Sequence, residues 1–348
     1  MSTEARHLQR AASPALSARS LPVNPRNRPE DDASSKTDKA IRRYAAGIDR
    51  ALSLFDTALQ EWADYLPFLG RLLKALQLHP PGTSDIPHKS LVAQRLSQCL
   101  NPALPAGVHQ EALKVYTYIF SLIGKDGLGR DLPYYLPGLS PVLAFASLLV
   151  KPPLLSLFDT FIVDLDPADL RPALKGILSS LLPGLEEESS EEFERTHEIL
   201  QRLKAAIAST DDGEKSVHST SGDQYFWQCL FLVTITSKSR RPGVLAYLQR
   251  HLPRLGKATA SVELDGKATD GRRPQLSDDL EAVTSPEPGL LIRCFAAGLS
   301  DDQMLVQRGF LDSIGYASTP QLWGSARQSP SCGSCQTCHR CGIRCSAP

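Results

Sequence analysis

From Asp38 onward, apolar residues recur at every third or fourth position, and this spacing constrains the fold more than any other feature of the chain. Ile41, Tyr44, Ile48, Leu52, Phe55, Leu59, Trp62 and Leu66 lie on one stripe of a 3.6-residue period, with Arg42, Arg50 and Glu61 elsewhere around the circumference. Such a stripe is a long helix that must bury one side against a neighbour. Asp38 is placed to cap its start by accepting from backbone N–H groups that otherwise lack a partner. Pro67 marks a kink or a break, after which a second apolar run, FLGRLLKALQL, begins.

Later segments repeat the pattern. Leu91, Leu96 and Leu100 predict a short helix, and Val108, Ala112, Val115, Ile119 and Leu122 a longer one. SPVLAFASLLV places Ser140 at a cap and Pro141 at the first helical position, where its missing N–H costs nothing; Asp166 and Pro167 open the next helix in the same way. Ser189 and Glu192 have the spacing of a capping box ahead of Phe193, Leu200, Leu203 and Ile207. YFWQCLFLVTI, residues 225–235, is apolar all round and is expected to lie buried between neighbours. Val244, Leu248, Leu252 and Leu255 form another stripe, and Ser285–Pro286 opens a final pair.

No segment alternates apolar and polar residues between hairpin turns, so a sheet is not expected. The reading is an all-α fold, an α-solenoid of stacked antiparallel helix pairs of the HEAT/ARM-like kind. It rests on helix lengths and proline-bearing links, since no fixed sequence period is present. Three parts follow: a disordered Arg/Pro/Ser-rich leader at 1–37, a helical domain at 38–314 with mobile loops at about 209–222 and 256–284, and a disordered Cys-rich tail at 315–348. The arginines of the leader have the composition of an organellar transit peptide, but Pro14, Pro22, Pro25 and Pro29 leave no room for a long amphipathic helix. The apolar periodicity stops near Ile314, and residues beyond about 315 read as an alternative or truncated end outside the native fold.

Composition narrows the function. Thirty-eight basic and 38 acidic residues leave no net charge, hence no overall field for nucleic-acid binding. No transmembrane span is predicted. Three isolated thiols, Cys99, Cys229 and Cys294, make no disulfide framework and fit a cytosolic setting. Motifs for nucleophilic, nucleotide-binding and zinc-protease chemistry are absent. GKDGLG at 124–129 reads as a helix C-cap and turn, and His79, His88 and His109 as surface or capping histidines. The acidic run EEESSEEFE at 186–194 reads as a solvated helix N-terminus, with a docking patch for a basic partner as the sharper alternative. Lys238, Arg240 and Arg241, followed on the next helix by Arg250, His251 and Arg254, form a candidate basic patch for anionic headgroups or an acidic partner; Lys238, Arg240, Arg241, Arg250 and Arg254 are its named members. Cys332, Cys335, Cys338, Cys341 and Cys345 approach ferredoxin-like ligand spacing. They support only the rival reading, a zinc or iron–sulfur protein, because the tail supplies little apolar material for a cluster shell. No cofactor is expected on the leading reading.

Long co-linear blocks, among them IPHKSLVAQRLSQCLNPALPAGVHQEALKVYTYIF, LDPADLRPALKGILSSLLPGLEEESSEEFERTHEIL and FWQCLFLVTITSKSRRPGVLAYLQRHLPRL, resemble the N-terminal domain of the Dopey family, from about residue 38 to about 314. The resemblance implies a non-enzymatic scaffold or adaptor in Golgi–endosome protein traffic, cytosolic and peripheral on trans-Golgi and endosome membranes. It also implies partnership with a large Arf-exchange-factor-like trafficking scaffold and a phospholipid flippase complex. In some members the domain is linked to phosphatidylinositol 4-phosphate and to kinesin light chain. A helical adaptor in another transport pathway has the same periodicity, and only the quoted blocks separate the two.

Overall fold

A computed structural model describes residues 29–58, 61–208, 221–253, 278–284 and 287–318, and among these every regular element is helical. The first helix, α1 (Pro29–Ala58), starts upstream of Asp38, the position expected to cap it. Tyr44, Ile48 and Leu52 of the stripe are buried, whereas Ile41 and Trp62 stay exposed, because α2 (Tyr65–Gln77) covers only the middle. The break falls before Pro67. A 3-10 turn at Trp62–Asp64, in which the Asp64 carboxylate accepts from the Glu61 N–H at 3.0 Å, reverses the chain, and Pro67 sits harmlessly in the first turn of α2.

The short α3 (Lys89–Cys99) is entered through His88, whose φ of 55° is left-handed. It packs against α4 (Ala106–Leu139), as does α2. GKDGLG ends one helical run of α4 at a left-handed glycine, as expected of a C-cap, but no open loop follows. Gly124 takes φ 68° and ψ −178°, a conformation open to glycine, and the helix resumes beyond it on a changed course. SPVLAFASLLV is also corrected: Ser140 closes α4, and only the four residues of α5 (Val142–Phe145) are helical, so Leu148 and Leu149 reach solvent. The α6 helix (Lys151–Leu157) runs into a π turn at Phe158–Ile162, and α7 (Pro167–Leu181) starts at Asp166–Pro167 as the sequence indicates. A 3-10 turn at Leu182–Leu185 leads to α8 (Glu191–Ala208). Here the expected capping box is not made: the Ser189 hydroxyl donates to Glu187, and Glu192 is buried 3.8 Å from Lys151.

The buried segment is α9 (Gly222–Thr236), which touches α7, α8, α10 (Arg241–His251), α11 (Asp278–Thr284) and α12 (Pro288–Leu299). These neighbours account for most of its missing polar face: Phe226, Trp227, Leu230, Phe231 and Val233 are buried, whereas Leu232, expected to be covered as well, reaches solvent. Trp227 stacks on Phe231 at 5.8 Å and meets Tyr247 edge-on at 5.9 Å. The end of the expected loop at 256–284 is helical. Leu280 and Val283 of α11 are buried, which docks this short helix onto α9 and α12. The α13 helix (Met304–Ser318) runs past Ile314, the end of the periodic pattern.

Candidate functional site

The proposed basic patch is built from the link between α9 and α10, and the structure divides it. Arg241 is buried, 5% exposed. Its Nε donates to the Thr234 carbonyl at 3.0 Å and its Nη1 to Asp301 Oδ2 at 2.8 Å, so it fastens α10 to the turn before α13. Burial pushes the Asp301 carboxyl up, but the Gln303 N–H and the Arg241 guanidinium outweigh it and hold the group below its ordinary 3.8. Lys238 is exposed and pairs with Asp302 at 2.9 Å. Arg240 is half-buried beside Glu186; burial lowers the basicity of the one and raises the carboxyl of the other, outweighing their attraction. Arg250 lies 4.4 Å over the Phe193 ring and donates to Glu188 at 2.7 Å and Glu194 at 3.0 Å. Arg254 lies outside the described residues. The four described cations therefore share a region, but each has a carboxylate beside it, and Arg241 is an interior residue.

His251 joins an aromatic cluster instead of the patch. Its ring stacks on His197 at 4.8 Å and approaches Tyr247 at 4.6 Å, with Gln201 3.1 Å from its Nε2. Burial, then His197, Lys204 and Arg250, push its pKa down to about 4, so it is neutral at neutral pH. His88 is exposed and pairs with Asp49, while His109, expected on the surface or at a cap, is buried and bonded at 2.8 Å to the Asn101 carbonyl just past the end of α3. Cys99, Cys229 and Cys294 are buried free thiols, and burial raises Cys99 and Cys294 to about 12, which makes them poor nucleophiles. Among the described residues no group of three or more His, Cys, Asp or Glu side chains converges on a metal position. Cys332, Cys335, Cys338, Cys341 and Cys345 lie outside them.

Sequence reasoning did not find the groove beside the patch. A cavity of about 430 Å³ opens between the 3-10 turn before α8, helix α10 and helix α13. Its floor is apolar, formed by Leu185, Phe193, Leu245 and Val306, with the exposed Leu305 at its lip; Glu186, Glu188 and Arg250 stand at its edge. Leu245 fits over Gly309, where a β-carbon would come within 2.3 Å of it, so α10 and α13 cross closely and leave the groove along their seam. The signal was divided between the acidic run at 186–194 and Leu305, 111 residues further along the sequence, and so was not visible locally.

Comparison with known proteins agrees with this helical body. A family described as "Dopey, N-terminal" matches residues 38–317. Protein dop1 of Emericella nidulans is 53% identical over 318 residues, covering 90% of this chain but 17% of that protein. Protein DOP1 of Saccharomyces cerevisiae is 35% identical over 85% of this chain and 18% of its own length, and Protein DOP1B of Mus musculus 35% identical over 80% and 10%. The chain thus spans less than a fifth of these curated relatives, whose names denote no enzyme. No solved structure matches. With the match running through the described helices from α1 to α13, the chain belongs to the Dopey family by way of that family's N-terminal region.

Proposed function

We propose that this chain acts as a non-enzymatic helical scaffold in Golgi–endosome protein traffic, displaying side chains to partner proteins from a rigid array. The observation that carries the reading is the match to the Dopey N-terminal region along nearly the whole helical body. The physical character of the interior supports it: the thiols are buried, His251 is held neutral inside an aromatic cluster, and the buried Arg241–Asp301 pair joins elements. No described helix is long and apolar enough to cross a membrane, so the reading places the protein peripherally on trans-Golgi and endosome membranes, facing the cytosol. Its partners are a large Arf-exchange-factor-like scaffold and a phospholipid flippase complex, with kinesin light chain as a motor contact.

Affinity purification of the tagged full chain, combined with imaging against trans-Golgi and endosome markers, tests the proposal. Recovery of trafficking scaffolds at those membranes supports it; an even cytosolic distribution without any such partner overturns it. Contact with phosphatidylinositol 4-phosphate is tested by liposome flotation. Because Arg241 is interior and Arg250 is clamped by two glutamates, the Lys238→Glu/Arg240→Glu double variant is expected to float like the unaltered chain. Loss of flotation would locate the headgroup in the α9–α10 link.

A further inference from the structure

We propose that the groove between α10 and α13 is a docking site for a short basic segment of another protein that carries an apolar anchor. The inference stands on the groove itself and does not depend on where in the cell the protein acts.

Two properties of the groove select the occupant. The first is its floor. Leu185, Phe193, Leu245 and Val306 give a concave apolar surface, and the cavity of about 430 Å³ can take one or two side chains of leucine size. Leu305 lies at its lip and is 84% exposed, and the adjoining Met304 is 75% exposed, so the apolar surface continues out of the groove into solvent. Large apolar side chains left uncovered beside a concavity are the usual foundation of an anchor pocket. The second property is charge. Glu186 and Glu188 line the groove against Arg250, and the stretch they belong to also carries Glu187, Glu191 and Glu194, with Arg240 and Lys151 as the cations acting on Glu186. Arg250 is shared between Glu188 and Glu194, which leaves carboxylate in excess along this edge. Desolvation raises the Glu186 carboxyl, although Arg240 and Lys151 pull it the other way.

An occupant that places an apolar side chain on Leu305 and Val306 and an arginine or lysine against Glu186 and Glu188 satisfies both properties together. An acidic segment would meet like charge, and an anionic bilayer would be repelled from this face. This partner has the opposite sign to the one predicted from the neighbouring lysine and arginines.

The test is fluorescence anisotropy on the full chain with a fluorescein-labelled peptide, RRSLISRR, compared with its acidic counterpart EESLISEE. Saturable binding of the basic probe, weakening as salt rises, is expected, with none for the acidic one. Leu305→Ser should weaken binding about tenfold, a plausible effect for an anchor contact removed from a pocket. Because Leu305 is exposed, that variant should melt at the temperature of the unaltered chain, which separates lost docking from lost folding. Absence of saturable binding, or equal binding by Leu305→Ser, would overturn the proposal. So would concentration-dependent self-association that Leu305→Ser abolishes, since the face would then belong to a second copy of the chain.

Discussion

Arg241 shows how much one side chain's surroundings decide. In the sequence it is one of three cations in a polar link; in the structure it is buried and bonded to Asp301 and the Thr234 carbonyl. Removing one partner leaves the other's charge buried without compensation, so Asp301→Asn or Arg241→Met should each cost about 3–5 kcal/mol, measured by urea denaturation at neutral pH. An Arg241→Met/Asp301→Leu chain should recover most of that loss. Asp301 binds its proton less readily when folded, so its contribution is complete above the ordinary carboxylate pKa of 3.8 and fades as the pH falls below it. His251 gives a second dependence at higher pH. With a folded pKa of about 4 against an ordinary 6.5, the unfolded chain takes up the proton first, and stability declines as the pH drops from 6.5 towards 4. His197, Lys204 and Arg250 face the same ring and oppose its charging. Replacing it in His251→Phe should flatten that part of the stability profile, which thermal melts at a series of pH values would reveal.

Among the elements, those with a wide apolar stripe or an unbroken apolar run were legible in advance: the middle of α1, the first half of α4, α7 at Asp166–Pro167, and the buried α9. Those that failed did so for local reasons. The apolar run after Ser140 promised a helix, but that serine closes α4 instead of opening a new helix, and only four residues of the run are helical, in α5. In the other direction, α11 has too few apolar residues to show a period, and its helix is fixed by docking Leu280 and Val283 on α9 and α12. Gly124 was rightly marked as the end of a helical run, though the next run starts directly beyond it. The basic patch was legible as composition only, since the carboxylates paired with it come from the 186–194 stretch and from Asp301 and Asp302, distant in sequence. Close crossings were also invisible. At Gly243 a β-carbon would lie 2.1 Å from the Leu182 carbonyl oxygen, a backbone atom with no rotamer to yield. Gly243→Ala should therefore separate α10 from the 3-10 turn before α8 and destabilise the protein by about 1–3 kcal/mol, visible as a lowered denaturation midpoint.

The whole molecule is organised around α9. Five of the described helices pack on it, and its aromatic contacts with Tyr247 bring α10 into the same interior. Native-state hydrogen exchange should find the slowest amides in α9 and much faster ones around the exposed Thr37–Lys39 of α1, because opening α9 requires several helices to part together. Faster exchange in α9 than in α2 would contradict this picture. The helices wrapping this centre come from both sides of the long stretch between α10 and α11, and the Arg241–Asp301 bond ties those sides across 60 positions of sequence. A molecule pinned in this way holds α10 and α12 in place whatever the length of the stretch between α10 and α11. Segments joining α10 to α11 could lengthen, shorten or acquire new recognition motifs among family members while the groove beside them kept its shape.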